Sequence, residues 1–323
     1  MTENKTLDRF LKNSAVSGTV AYIRRNAGII IGFLIICGII AFRSPVFLTR
    51  QNIMNVLRQI SSNMYLATSM TLILITGGID LSVGSALAVI GVLVSSVLKS
   101  GLAVPQAIGI CLLVGMCIGF VNGFIISRTA LPPFIVTFSM MSILRGVAYV
   151  YTGGLTIPVE NKDFIILGTG FLGIIPLPVM YMMVILFAVF ILLNKTALGR
   201  HIYAVGSNEK AALYSGISVR NIRLLVYIFS GVMASVAGMI LAARSYSGNP
   251  SFGSGAEMDA IAACVLGGRV SMTGGTGFIG GTLLGALIIG VLNNGLNLMQ
   301  IDSFWQPILK GTVILVAVYA DYL

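Results

Sequence analysis

Ten apolar runs, separated by short polar stretches, decide what this chain can fold into. They cover residues 27–42, 53–76, 83–98, 103–126, 134–151, 174–193, 222–243, 256–266, 278–298 and 308–319. A helix needs about 20 apolar residues to cross roughly 30 Å of hydrocarbon. Backbone groups in lipid must also bond among themselves, which a helix achieves. The eighth run is too short to cross as a helix and is expected to be broken or re-entrant. Charged residues make up 9% of the chain and hydrophobic residues 57%, whereas a soluble domain is about 25% charged. The expected fold is therefore all-α: a polytopic membrane protein of about ten transmembrane helices.

Residues 1–26 are polar and basic, with Lys5, Arg9, Lys12, Arg24 and Arg25. They read as a cytoplasmic N-terminal segment ahead of a membrane domain at 27–323. Phe42-Arg43-Ser44-Pro45 does not resemble a signal-peptide cleavage site, so the first run is kept as a helix. Six cations, Arg43, Arg50, Arg58, Lys99, Lys162 and Arg244, fall on the outer side of a ten-span path. Twelve fall on the inner side, with Arg145 and Lys310 inside spans. That bias places both termini and the polar segment 194–223 in the cytoplasm. The net charge of +10 then needs no nucleic acid; anionic lipid on the inner leaflet accounts for it.

Segment 194–223 is the longest polar interruption. Within it Glu209-Lys210-Ala211-Ala212-Leu213-Tyr214-Ser215-Gly216 spells a short helix. Asn208 is placed to cap it, the alanines favour it, and Gly216 can take a left-handed stop. Such a helix is too short to be stable alone, which suggests a partner that holds it. Between the second and third runs lies Gly77-Gly78-Ile79-Asp80-Leu81-Ser82-Val83-Gly84. The paired glycines break the helix. Asp80 is read first as a cap on the next helix, and alternatively as a gate or substrate contact, because a carboxylate beside the membrane core is costly without partners.

These motifs resemble the permeases of bacterial ATP-binding-cassette importers for ribose, xylose and galactose. Gly77 to Gly84 is similar to their Gly-Ile-Asp-Leu-Ser-Val-Gly motif. Gly199-Arg200, Gly206, Asn208, Ala211-Ala212 and Gly216-Ile217 are similar to their cytoplasmic coupling loop, with one residue inserted after Glu209. Glu257-Met258-Asp259 and the glycines after it match a third block, where Arg269 stands in place of their Thr. The resemblance runs from Pro45 to Asp321. It implies an ATPase-coupling role for Asn208, Glu209, Ala211, Ala212, Gly216 and Ile217, and a gate or family-motif role for Gly77, Gly78, Asp80, Ser82 and Gly84. It also implies a cytoplasmic ATPase, a periplasmic sugar-binding protein and a second permease chain as partners, and an inner-membrane location.

Asn122-Gly123 and Asn294-Gly295 recur, as do Leu144-Arg145-Gly146 and Leu309-Lys310-Gly311. With five spans per half, this predicts two inverted repeats. Glycines four apart, Gly115 with Gly119 and Gly277 with Gly281 and Gly285, suit close helix packing. Asn122, Asn294 and Asn297 offer amides to a polyhydroxylated solute, or to neighbouring helices. Glu257 and Asp259 are read as helix caps rather than contacts with a binding protein, and Arg145 as seeking an acid that the sequence does not name. No Gly-x4-Gly-Lys-Ser/Thr run is present, so ATP must be hydrolysed elsewhere. The single His201 and four scattered cysteines form no catalytic or metal pattern, and no cofactor is expected. The competing function is an ion-coupled sugar carrier or channel that acts without an ATPase.

Overall fold

The computed structural model describes residues 27–268, 270–302 and 304–322. Segment 1–26 and Arg269, both used in the charge argument, lie outside the described residues. The described chain is helical almost throughout. In order it forms α1 (Ala27–Arg43), α2 (Arg50–Ile75), α3 (Val83–Lys99), α4 (Val104–Arg128), α5 (Pro133–Thr152), β1 (Ile157–Pro158), α6 (Lys162–Thr169), β2 (Phe171–Leu172) and β3 (Ile175–Pro176). It continues with α7 (Leu177–Lys195), α8 (Ala197–Ser207), α9 (Glu209–Tyr214), α10 (Val219–Ser245), β4 (Ser247–Gly248), α11 (Ala256–Gly268), α12 (Ile279–Leu298) and α13 (Trp305–Tyr322). Each of the ten apolar runs falls on a helix. Helices α4, α5, α7, α10 and α12 are long and apolar enough to cross a membrane; α1 and α3 are shorter apolar helices.

The described residues between 50 and 291 form one compact unit, and the described residues of 27–49 and 292–322 form another. In the larger unit α10 is the axis and packs on α4, α3 and α2. Its contact with α4 is made by glycines. A Cβ on Gly231 would overlap the Gly115 carbonyl oxygen, and one on Gly119 would overlap that of Tyr227. Backbones this close gain dispersion contacts along their length, the main source of helix association where lipid replaces water. Ser235 Oγ adds a hydrogen bond to the Cys111 carbonyl at 2.9 Å. Gly281 and Gly285 play the same part between α12 and α11, against Gly267 and Ala263. Gly277 departs from the expected pattern: it precedes α12 and abuts Ile75.

The chain breaks its helices twice, from opposite ends of this unit. At one end, Ile75 lies beside the end of α8, with Gly275 N donating to its carbonyl at 2.8 Å. From there residues 76–82 turn inward. At the other end, β4 pairs with β1, and residues 249–255 then descend along α3. Gly248 sits against Gly91 and Ser95, whereas Gly253 sits against Gly84. Seven helical residues separate those places, about 10 Å of depth. From that depth α11 returns with 13 residues, about 20 Å at helical rise. The short eighth run is thus a half-span completed by a re-entrant segment.

In the smaller unit Gly295 lets α12 close on Ile40 of α1. Asp302 starts the next helix, its Oδ1 accepting from Phe304 N at 2.8 Å.

Candidate functional site

The polar segment forms two helices rather than one. Thr196 Oγ1 caps α8 by accepting from Gly199 N at 3.2 Å. Gly199, Ile202 and Val205 make its buried face. That threefold spacing was the available signal, hidden by the polar residues between. Tyr203 Oη donates to the Gly277 carbonyl at 2.8 Å, and burial raises its phenol above the ordinary value. Gly206 meets Ile75 so closely that a Cβ would overlap the Ile75 carbonyl oxygen. These contacts fasten α8 to the end of α2 and to the 270–277 segment.

Helix α9 hangs from this platform. Asn208 Oδ1 accepts from Ala211 N at 3.0 Å, the expected cap. At the other end Ile217 N donates to Ala212 O and Gly216 N to Leu213 O, each at 3.0 Å. This is the paired closure of a Schellman stop, and Gly216 supplies its left-handed residue at φ +80°. Arg223 Nη2 meets Glu209 Oε2 at 2.7 Å, linking α9 to the first turns of α10. An exposed pair of this kind contributes only about 0–1 kcal/mol, so its part is to fix orientation. Ala212 is 4% exposed and faces its own chain, so the sequence expectation that it meets a partner does not match its placement. Every residue of α9 except Ala212 is exposed; Leu213 is 61% and Tyr214 89% exposed.

The first break is held by partners from three helices, α4, α5 and α10. Gly77, at φ +77°, turns the chain out of α2. Gly78 leaves room for the Tyr227 hydroxyl, which donates to Ile79 O at 3.1 Å. Thr137 Oγ1 also donates to that carbonyl, at 3.2 Å. Asp80 is buried, and its Oδ1 accepts from Ser82 N at 2.9 Å and from Ser82 Oγ at 2.6 Å. Ser230 Oγ donates to Oδ2 at 2.8 Å, and Asn122 Nδ2 donates to Ser82 Oγ at 2.9 Å. Three donors to one carboxylate, on both its oxygens, offset the burial of its charge. Asp80 therefore does not cap α3, as the sequence suggested. It closes the turn ahead of that helix and pins it to α10, because the N-cap position belongs to Ser82, whose side chain makes no capping bond.

Along this chain, 300 residues are 44% identical to the ribose import permease protein RbsC of Escherichia coli K12, covering 90% of this chain and 92% of that one. RbsC of Bacillus subtilis 168 is 43% identical over 301 residues, 93% of each. The L-arabinose ABC transporter permease protein AraH of Azospirillum brasilense is 35% identical over 316 residues, 97% of this chain and 92% of its own. Residues 52–318 match the family described as branched-chain amino acid transport system / permease component. The chain belongs to that permease family. No solved structure matches it.

The permease is thus a multi-pass membrane protein and a transport component, and its relatives give no support to a carrier that works without an ATPase. Its candidate pathway amides are placed unevenly. Asn122 is buried in the Asp80 cluster. Asn297 is exposed and accepts from Gln306 Nε2 at 2.9 Å, across the turn between α12 and α13. Asn294 is half-buried late in α12. The sequence did not single out Ser230, Tyr227 or Thr137. Each is a small or amphipathic residue on an apolar helix face, and only the fold brings it to Ile79 and Asp80. Arg244, expected to be an outer-face cation, is half-buried. Its Nη1 donates to Arg58 O at 2.9 Å and to Ser62 Oγ at 3.1 Å.

Proposed function

We propose that this permease is the membrane-spanning subunit of a bacterial ATP-binding-cassette importer that carries a monosaccharide, ribose or a close pentose relative. A separate cytoplasmic ATPase drives it at α9, a periplasmic binding protein delivers the sugar, and two permease chains enclose the path. Both termini and α9 lie in the cytoplasm on this reading, which the excess of inner cations supports. The observation that carries the substrate is the match, along nine-tenths of the chain, to two permeases named for ribose import in distant bacteria. The family description names amino acids, but the closely matching relatives are named for sugars, and they bear more directly on this chain.

Three features support the coupling. Helix α9 presents Leu213 and Tyr214 on a polar loop, where aromatic and aliphatic side chains anchor partners. Its own packing runs through α8 to Ile75. From Ile75 the chain leads into the break at Gly77 and Asp80, so a push on α9 reaches a segment held by hydrogen bonds rather than by helix. ATP shifts the balance of inward-open and outward-open forms only through different affinity for the two.

Deleting the permease gene is expected to abolish high-affinity uptake of labelled ribose in cells while leaving leucine uptake unchanged. Loss of leucine uptake with ribose uptake intact would contradict the substrate assignment.

A further inference from the structure

The second break holds an acid and a base that the coupling account does not use. Glu257 is the second residue of α11 and only 9% exposed, yet its Oε2 is buried without a hydrogen-bond partner among the described residues. The N–H groups of Gly255 and Glu257 and the Arg145 guanidinium lie close to its carboxyl. Arg145, on α5, is half-buried. Its Nη1 donates to the carbonyls of Pro250 at 2.6 Å and Phe252 at 2.8 Å, which leaves other N–H donors of the guanidinium. The two groups make no direct ion pair, although each carries the opposite charge that acts on the other. Ser254, Gly255 and Met258 beside them are exposed.

Gly84 covers the idle carboxylate oxygen. A Cβ there would overlap both Glu257 Oε2 and the Gly253 carbonyl oxygen, and Gly253, at φ +68°, meets the Gly84 carbonyl in return. The two broken helices therefore touch through two glycines, about 10 Å below the outer strands. Ionisable groups at such depth are costly and persist where they pair or meet a solute. A carboxylate oxygen without a donor, next to a guanidinium with donors to offer, is complementary to neighbouring hydroxyls. One hydroxyl donates to the carboxylate and the next accepts from the guanidinium.

We propose that Glu257 and Arg145 form a contact site for a polyhydroxylated solute within the membrane, closed here by Gly253 seated on Gly84 and opened when the 249–255 segment moves off α3. The inference rests on the sugar-import reading and deepens it. It gives the Gly84 end of the first motif a role as the seat of a gate, with the substrate contact on the opposing segment.

The test is a cycle between protein and sugar in proteoliposomes holding the permease, its ATPase and saturating binding protein. Uptake of ribose and of its monodeoxy analogues is compared for wild type and Glu257→Gln. A hydrogen bond to a charged group supports an expected drop of about tenfold in ribose uptake per ATP for the variant. For the analogue lacking the contacted hydroxyl, wild type and variant should carry it at similar rates, because the interaction is already absent. Equal slowing of ribose and every analogue, as a purely structural role would give, overturns the site, and so does no slowing at all. Should Glu257→Gln not reach the membrane, Glu257→Asp enters the same cycle with the same two readings. Failure of wild type to carry any of these sugars would instead overturn the import reading.

Discussion

Replacing Gly231 with valine is expected to keep the permease from assembling. The α10–α4 contact is the axis of the larger unit, and at Gly231 the neighbours of a new Cβ are backbone: the Gly115 carbonyl and the Gly119 amide. Backbone inside a packed helix cannot turn aside as a flexible side chain does, so the two helices would have to part. Their separation would also strain the bond from Ser235 to the Cys111 carbonyl. Overpacking of a tolerant core costs about 1–3 kcal/mol. A backbone clash at a central glycine contact belongs with the exceptional losses, at least ~4 kcal/mol. The check is the amount of protein in the membrane and its melting temperature in detergent, against Gly109→Val on the partner helix α4. Gly109 has open space around it, so that control is expected to accumulate normally. Equal amounts and equal melting for both variants would contradict the packing described here.

Changing Leu213 and Tyr214 together to aspartate is expected to separate the permease from its ATPase. Both side chains point away from the chain, whereas Ala212 between them and the core is buried. Truncating or charging an aromatic anchor at an interface costs about 2–4 kcal/mol, so two such changes should weaken association at least a hundredfold. The permease itself should remain folded, since neither residue packs within it. Copurification of the ATPase should be lost, and sugar uptake with it. Ala212→Glu is the poorer probe: it buries a charge against α8 and α10 and would disturb the chain's own packing. Retained copurification by a stable double-aspartate variant would move the docking surface elsewhere.

The spans were legible in the sequence because lipid leaves helices little alternative, and all ten apolar runs became helices. The half-span at 256–268 was also legible, as a run too short to cross. Its completion by residues 249–255 was not, because Gly84 and Gly253 meet only after the chain has folded back. The same distance hid Ser230 from Asp80, 150 positions apart. At α9 the local signals worked: Asn208, Gly216 and Ile217 form the cap and stop that their types suggest. Which face of α9 points outward was not local. It depends on how α8 seats on Ile75 and how Glu209 reaches Arg223, so of the two alanines Ala211 is exposed and Ala212 buried, and Leu213 and Tyr214 are the large apolar residues left outward. Arg145 carried the clearest unexplained charge in the sequence, and its partners came from a segment more than 100 residues away.

The most direct measurement is labelled-ribose uptake into proteoliposomes that contain the permease, with its ATPase and binding protein each present or withheld. Uptake is expected only when both partners and ATP are supplied, with no dependence on a sodium or proton gradient. Accumulation of sugar by the permease alone, driven by such a gradient and without ATP, would contradict the account.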